Sequence, residues 1–395
     1  MTIINKLNDK ASGFIAPPIP TFRTKYEEDK YWDIEWGRCI NGYNSMPGRY
    51  YAYLTLNYLK TVTGETIRPD WRDGDQMIFE EDEAAGLAQE DLMIVKRREI
   101  GLTSIYGGFE PIYNCLFNPG SVNVLTSADY DRVKKMFSEK TMVSYANLPI
   151  PDSKIPPILR KNKDGSMELG REDSKGKPLG PISVIVSRQT SKDDESAKNL
   201  ESLRAMSIFL DELFLHPRAG IVHNSAQACI RQDFIKIGRM RLGGSCGATN
   251  KAEEEALKKG AQLGQELWED SVSKGIRTVF VPGWMCIDKV PEFDKDGKVV
   301  PGKILKLMKN GHSDEKGATA WIMQQRAKLE KAHDQSAYKN FIKQYPLTIE
   351  EVWEINRDPI FPESVYEALA TAKRMILSND RVGLFKLYKD TNIVL

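Results

Sequence analysis

The chain has 395 residues, 56 of them Lys or Arg and 55 Asp or Glu, for a formal net charge of +1. That length supports one large or two ordinary domains with a full apolar core, and the balanced charge excludes a global demand for a polyanionic partner, so any nucleic-acid contact has to be local. Five scattered cysteines without C-x-x-C spacing, Cys39, Cys115, Cys229, Cys246 and Cys286, argue against a disulfide framework and a zinc site. No apolar run approaches the roughly 18 to 20 residues of a membrane span, so a soluble protein of a reducing interior is expected.

Residues 1–30 mix Pro, Lys and Thr around Ala16-Pro17-Pro18-Ile19-Pro20, which excludes helix there and predicts an extended arm. Aromatics crowd Tyr31 to Thr61, with helical spacing over Tyr51 to Leu59, the signature of aromatic core packing. Pro69 to Gln76 leads into a helix predicted over Met77 to Gly86, with Asp73 or Asp75 as its cap. Gln76, presented at that helix start, has an amide able to read an adenine edge, donating and accepting at once. A plain surface glutamine is the alternative.

Leu92 to Val95 reads as a buried strand that feeds a basic turn, Lys96, Arg97 and Arg98, ending in Gly101, Leu102, Thr103 and Ser104. This is a damaged version of the phosphate-binding loop G-x-x-x-x-G-K-[ST], in which backbone N–H groups cradle phosphates, a Lys reaches them and a hydroxyl holds Mg²⁺. Lys96 replaces the first glycine and Leu102 the lysine. Gly101 keeps the tight turn and Thr103 the metal hydroxyl, while the positive charge has moved to Lys96, Arg97 and Arg98. An ordinary strand-to-helix turn fits the same residues.

Ser104 to Asn114 is predicted helical and then interrupted by Gly107 and Gly108. Ser121 to Thr126 reads as a second buried strand, and Ala128 to Ser138 as a helix. Residues 150–181 form a polar Pro- and Gly-rich insertion, either a solvated loop or a DNA-facing hairpin. Ile182 to Ser187 is a third strand, followed by a polar helix with Leu200 and Leu203. Met206 to Glu212 is an apolar strand ending in adjacent carboxylates, which places Asp211 to hold the Mg²⁺ of a nucleotide and Glu212 to polarise a water.

His216 and His223 lack metal-ligand company and read as structural. Ile235 to Leu242 is a strand bearing Arg239 and Arg241. It ends in the glycine-rich Gly243 to Asn250, where the backbone approaches a ligand closely and a hydroxyl, Ser245, can sense a γ-phosphate. An amphipathic helix over Glu253 to Ser273, a fifth strand over Ile276 to Pro282 and a charged turn over Asp294 to Lys303 follow. Helices are predicted over Ala318 to Ala332 and Ser336 to Gln344, then from Thr348 with Glu351 in a capping box, and last over Pro362 to Ser378.

Strands separated by helices predict an α/β fold with a mainly parallel central sheet flanked by helices. Five segments in order carry a more specific likeness: R-D-G-D-Q ending at Gln76, K-R-R-E-I-G-L-T-S from Lys96, I-F-L-D-E ending at Glu212, G-G-S ending at Ser245, and Y-P-L-T-I-E-E-V-W from Tyr345. Together, over residues 45–365, they resemble the ATPase domain of the terminase large subunit, the DNA-packaging motor of tailed bacteriophages. The resemblance implies a P-loop NTPase of the ASCE type with a small helical lid subdomain, divided as an N-terminal arm and aromatic segment (1–60), an ATPase core (61–290) and a mainly helical lid or linker (291–395).

It also implies ATP hydrolysis with Mg²⁺. Lys96, with Arg97 or Arg98, would contact the phosphates; Gly101, Leu102, Thr103 and Ser104 complete the loop, and Gln76 matches the adenine-reading position. Thr103 and Asp211 would organise Mg²⁺, Glu212 would be the general base, Gly244 and Ser245 the coupling segment, and Arg204 the arginine given to a neighbouring subunit. The implied partners are double-stranded DNA, the portal protein and the small terminase subunit, in a homo-oligomeric ring that sits transiently on the viral procapsid in the host cytoplasm. The family usually continues into an RNase-H-like nuclease domain; the chain stops at Leu395, and no cutting activity is expected of these residues. A helicase-like remodeller on the same core, or a nucleotide-binding protein whose loop no longer hydrolyses, are the alternatives.

Overall fold

The strand expected at Leu92 to Val95 lies at the heart of an eight-stranded sheet. A computed structural model describes residues 13–354 except 164, 191–199, 201–202, 217–218, 234, 248–250, 295–298 and 333–334. Two compact units divide the chain, Met1–Asn356 and Arg357–Leu395, and all described residues belong to the first. The polar helix expected before Leu203 and the helix over Pro362 to Ser378 fall largely or wholly outside the described residues.

In chain order the sheet strands are β1 Asp91–Lys96, β2 Val122–Ser127, β3 Ile158–Lys161, β4 Ser166–Leu169, β5 Ser183–Gln189, β6 Ser207–Asp211, β7 Arg239–Gly244 and β8 Ile276–Val281. Their spatial order is β8-β1-β7-β6-β2-β5-β4-β3. The first six of these run parallel, and the β5–β4 and β4–β3 pairings are antiparallel, so that β4 alone runs against the rest. The sheet is therefore mixed and mainly parallel.

These strands read as continuous apolar runs because both faces are covered. Successive side chains point to opposite faces, and the core divides accordingly. Leu92, Ile94, Leu125, Phe209 and Val281 join one apolar cluster, whereas Met93, Val95, Val124, Ile208, Leu210 and Leu242 join another. The first cluster is roofed by α2 (Gly48–Leu56), α3 (Asp73–Leu87) and α4 (Glu110–Phe117), with Tyr50, Tyr51, Tyr53 and Phe79 among its members. The aromatic segment is core packing, as expected. The second is roofed by α5 (Ala219–Cys229) and α6 (Lys251–Glu269) through residues such as Val222, Ala226, Leu257 and Leu267.

Four local expectations change. Gly107 and Gly108 do not interrupt the helix after the loop: a π-helical stretch, Thr103–Phe109, runs straight into α4. A Cβ at Gly107 would lie 2.4 Å from Met136 Sδ, so this glycine permits close helix packing rather than a break. α3 begins at Asp73, and neither Asp73 nor Asp75 caps it. Asp73 instead accepts hydrogen bonds from Ser313, and Asp75 binds Arg72. Part of the 150–181 insertion is the β3–β4 hairpin, which prolongs the sheet beyond β5, with Arg160 paired to Glu168 and Glu172. The charged turn over Asp294 to Lys303 lies within an antiparallel pair, Lys289–Phe293 and Val299–Lys306. Three helices follow: α7 (Glu315–Lys331), α8 (Gln335–Gln344) and α9 (Ile349–Glu354).

Candidate functional site

Parallel strands deliver their C-terminal ends to one edge of the sheet, where ligands of open α/β folds bind. β7 lies between β1 and β6, with Gly244 beside Val95 and Gly243 beside Asp211. Lys96, Asp211, Glu212, Gly244 and Ser245 thereby share that edge, although they are far apart in sequence.

The loop after β1 turns at Glu99 (φ +65°) and Gly101 (φ +92°), a left-handed geometry that Gly adopts without strain. Arg72 fixes it from outside: its Nη2 donates to the Ile100 carbonyl at 2.8 Å while Asp75 holds the guanidinium at 2.7 and 2.8 Å. Ser104 N donates to Gly101 O at 2.9 Å, closing the turn into the helix. Thr103 opens that helix, and its Oγ1 donates to the two Asp211 carboxylate oxygens at 3.1 and 3.3 Å. Hydroxyl and carboxylate, 108 residues apart, are in contact.

Asp211 is buried, and burial pushes its pKa up, with the neighbouring Glu212 adding to the rise; Lys96 and the Thr103 hydroxyl oppose it. Lys96, 6 % exposed, makes no ion pair or hydrogen bond among the described residues, so its charge acts across a gap. Glu212 takes a left-handed backbone (φ +54°), which turns the chain at the strand end and keeps its charge close to both Asp211 and Cys246. Such a conformation in a non-glycine residue costs of order 1 kcal/mol or more and is found most often where function needs it.

For Mg²⁺ the donor set fits. The ion takes oxygen ligands, keeps several waters and rests on one or two carboxylates plus substrate phosphates; Thr103 Oγ1 and Asp211 supply that kind of partial shell. Among the described residues no group of three or more His, Cys, Asp or Glu side chains gathers around a cation position, so the protein by itself forms no cage.

Several expected site residues are used otherwise. Gln76 is 1 % exposed, and both ends of its amide are taken, Oε1 by the Trp71 indole N–H at 2.8 Å and Nε2 by Glu80 at 2.7 Å. Its amide is thereby engaged at both ends inside the fold. Arg97 is buried too and donates to the carbonyls of Met285, Arg98 and Cys286; burial lowers its pKa, and the guanidinium is an internal pin rather than a phosphate ligand. Leu102 is 1 % exposed, and its Cδ2 fills the place of the Cβ that Gly243 lacks, 2.2 Å away. Leucine thus stands at the lysine position as a core side chain, and only the backbone of Leu102 remains for a ligand.

Arg98 is half-buried, with its N–H on the Gln344 carbonyl at 2.9 Å. Gly244 abuts Leu213 and Phe214, the residues after Glu212, and Ser245 is buried. Arg204 is exposed and precedes β6, at the opposite end of the strand from Asp211. The sequence reading missed Arg72 as a loop anchor. It also missed the segment Gln344–Pro346, which reaches Arg98, Gly247 and Gly283. Arg72 opens the motif R-D-G-D-Q, and Gln344 immediately precedes Y-P-L-T-I-E-E-V-W.

Comparison with known proteins gives neighbours of similar fold only. The large terminase of bacteriophage HK97 has 14 % identity and a TM-score of 0.44 over 80 % of this chain and 57 % of that one. The large terminase ATPase domain of Thermus phage P74-26 has 11 % identity and a TM-score of 0.38 over 67 % of this chain and 90 % of that one. A large terminase from a thermophilic bacteriophage has 9 % identity and a TM-score of 0.34 over 48 % of this chain, which spans 40 % of its length. No protein-family model and no curated protein matches the sequence.

Proposed function

We propose that this chain is a Mg²⁺-dependent ATPase of the terminase large-subunit type, which hydrolyses ATP to drive double-stranded DNA into a viral procapsid. The observation that carries the reading is the contact of Thr103 Oγ1 with Asp211 at 3.1 Å, with the buried Lys96, unpaired among the described residues, at the edge where β1, β7 and β6 end together. Mg²⁺, when bound, supplies charge neutralisation of the phosphates. Thr103 and Asp211 would hold it, Lys96 supplies the displaced loop cation, and Glu212, beside Asp211 at the strand end, takes the proton of the attacking water. Gln76 and Arg97 are left out of the machinery. Arg204, exposed at the far end of β6, suits a side chain offered to a neighbouring subunit in a ring, with portal protein, small terminase subunit and DNA as the partners that complete the motor.

The test is ATP turnover with Mg²⁺ in wild type, Lys96→Ala and Glu212→Gln, with and without DNA and portal-bearing procapsids. Wild-type turnover that falls by about 10²-fold or more in both variants is expected. Normal hydrolysis by Glu212→Gln would remove it as the base, and nucleotide binding without turnover under every condition would replace the motor by a non-hydrolysing nucleotide binder.

A further inference from the structure

At the opposite, N-terminal edge of the sheet a cavity of about 190 Å³ is lined by Arg49, Asn114, Lys236, Arg239 and Arg241, among others. Three arginines converge there on Asp82: Arg49 at 3.2 Å, Arg239 at 3.2 Å and Arg241 at 3.0 Å, with Glu110 shared by Arg49 (2.8 Å) and Arg241 (3.1 Å). Lys236 is paired to Asp91 at 2.7 Å. Four cationic side chains therefore face three carboxylates, which leaves one positive charge over in a concave, poorly solvated place. Crowding shows in Arg239, whose pKa is pushed down to about 10 by burial and then by Arg241.

Two further features narrow the ligand. Asp82 and Glu110 engage only Nη1 of Arg49, and Asp82 only Nη1 of Arg239, so each of these two arginines, which line the cavity, keeps N–H donors outside this network among the described residues. In the same wall Asn114 is 1 % exposed, and its Oδ1 is a buried acceptor without a partner. An ion that satisfies both must accept from guanidinium N–H groups and donate one O–H. Sulfate and phosphodiesters have no O–H at neutral pH; inorganic phosphate does, and so does a phosphomonoester as its monoanion, near its second pKa of about 6. We infer that this cavity is a second ligand site, separate from the nucleotide edge, for inorganic phosphate or the phosphomonoester end of a larger molecule, held by Arg49, Arg239 and Asn114.

The experiment is the thermal midpoint of the full chain in phosphate, sulfate and chloride at matched ionic strength and pH 6.5. Wild type, Lys96→Ala, Arg49→Gln and Arg239→Gln are compared. Phosphate is expected to raise the midpoint of wild type and of Lys96→Ala, sulfate to raise it less, and the arginine variants to bind phosphate about tenfold or more weakly. A variant that is merely less stable still shifts with phosphate, so loss of the shift separates binding from folding. No shift in wild type would overturn the site, as would a shift lost in Lys96→Ala and kept in Arg239→Gln, because the ion would then lie at the nucleotide edge. Competition by a 5′-phosphorylated oligonucleotide but not by its 5′-hydroxyl counterpart would assign the phosphate to a nucleic-acid end, and by neither to free phosphate. Equal competition by both would overturn the need for an O–H donor.

Discussion

The two ends of the parallel strands treat buried charge in opposite ways. At the N-terminal edge Asp82 is wrapped by Arg241, Arg239 and Arg49, which hold its carboxyl well below the usual range although burial pushes the other way. At the C-terminal edge Asp211 is buried too, yet the side chain that donates to it is a neutral hydroxyl, and burial with Glu212 beside it lifts its pKa. The same residue type is thus enclosed by arginines at one end of the strands, where α3 carries Asp82, and set against a hydroxyl and a second carboxylate at the other, where β6 ends in Asp211. A carboxylate enclosed by arginines serves the fold; a buried carboxylate whose neighbour is another carboxylate marks the place where a cation completes the structure.

Substitutions sharpen that contrast. The largest effect is expected for Asp82→Asn, which strands three arginines and should lower stability by about 3 to 5 kcal/mol in a denaturant titration, with nucleotide affinity of the folded fraction unchanged. Asp211→Asn should do the reverse, leaving the denaturation midpoint equal or higher while Mg²⁺-nucleotide binding is lost. If both lose stability alike, the two edges do not differ in the way described.

Asp91 offers an intermediate case. Burial alone would raise its pKa, but His223, Lys236 and the Met240 N–H bring it down to about 2. A depressed carboxylate stabilises above its unfolded pKa, near 3.9, and loses that contribution as pH falls through the folded value. Wild type should therefore exceed Asp91→Asn by about 2 kcal/mol at pH 6, with the gap closing between roughly pH 4 and pH 2. A gap that stays constant with pH would assign the loss to packing.

The smallest effect is expected at Gln76. Replacing it by Ala unpairs the Trp71 indole and Glu80 and should cost about 1 to 2 kcal/mol of stability with no change in the preference for ATP over GTP. A switch in base preference would return Gln76 to the nucleotide site.

What the sequence made legible was local. The apolar run before Lys96 and the one before Asp211 announce strands buried on two faces, and an acidic pair at a strand end needs no distant partner to be noticed. The inward placement of Gln76 and Arg97 was not legible because polarity in a motif looks the same whether it faces a ligand or the interior. Arg97 is claimed by carbonyls 188 and 189 residues away. The strand Val299–Lys306 was hidden for another reason: it is exposed along nearly its whole length, so no period-2 alternation marks it. The arginine network was invisible because its members come from α2, α3, α4 and β7, and nothing in the linear order of Arg49, Asp82, Glu110, Arg239 and Arg241 brings them together.

The segment Gln344–Pro346 gives the molecule a built-in reporter. Its Gln344 carbonyl accepts the Arg98 N–H in the loop after β1, its Pro346 carbonyl accepts the Gly283 N–H after β8, and Arg326 of α7 grips Tyr345 O and Glu351. The loop therefore cannot reshape without letting go of the helices that follow. In deuterium-labelling terms, the amides of Arg98 and Gly283 should exchange together, and a nucleotide that rearranges the loop would register as a matched change in labelling at two sites 185 residues apart in the chain.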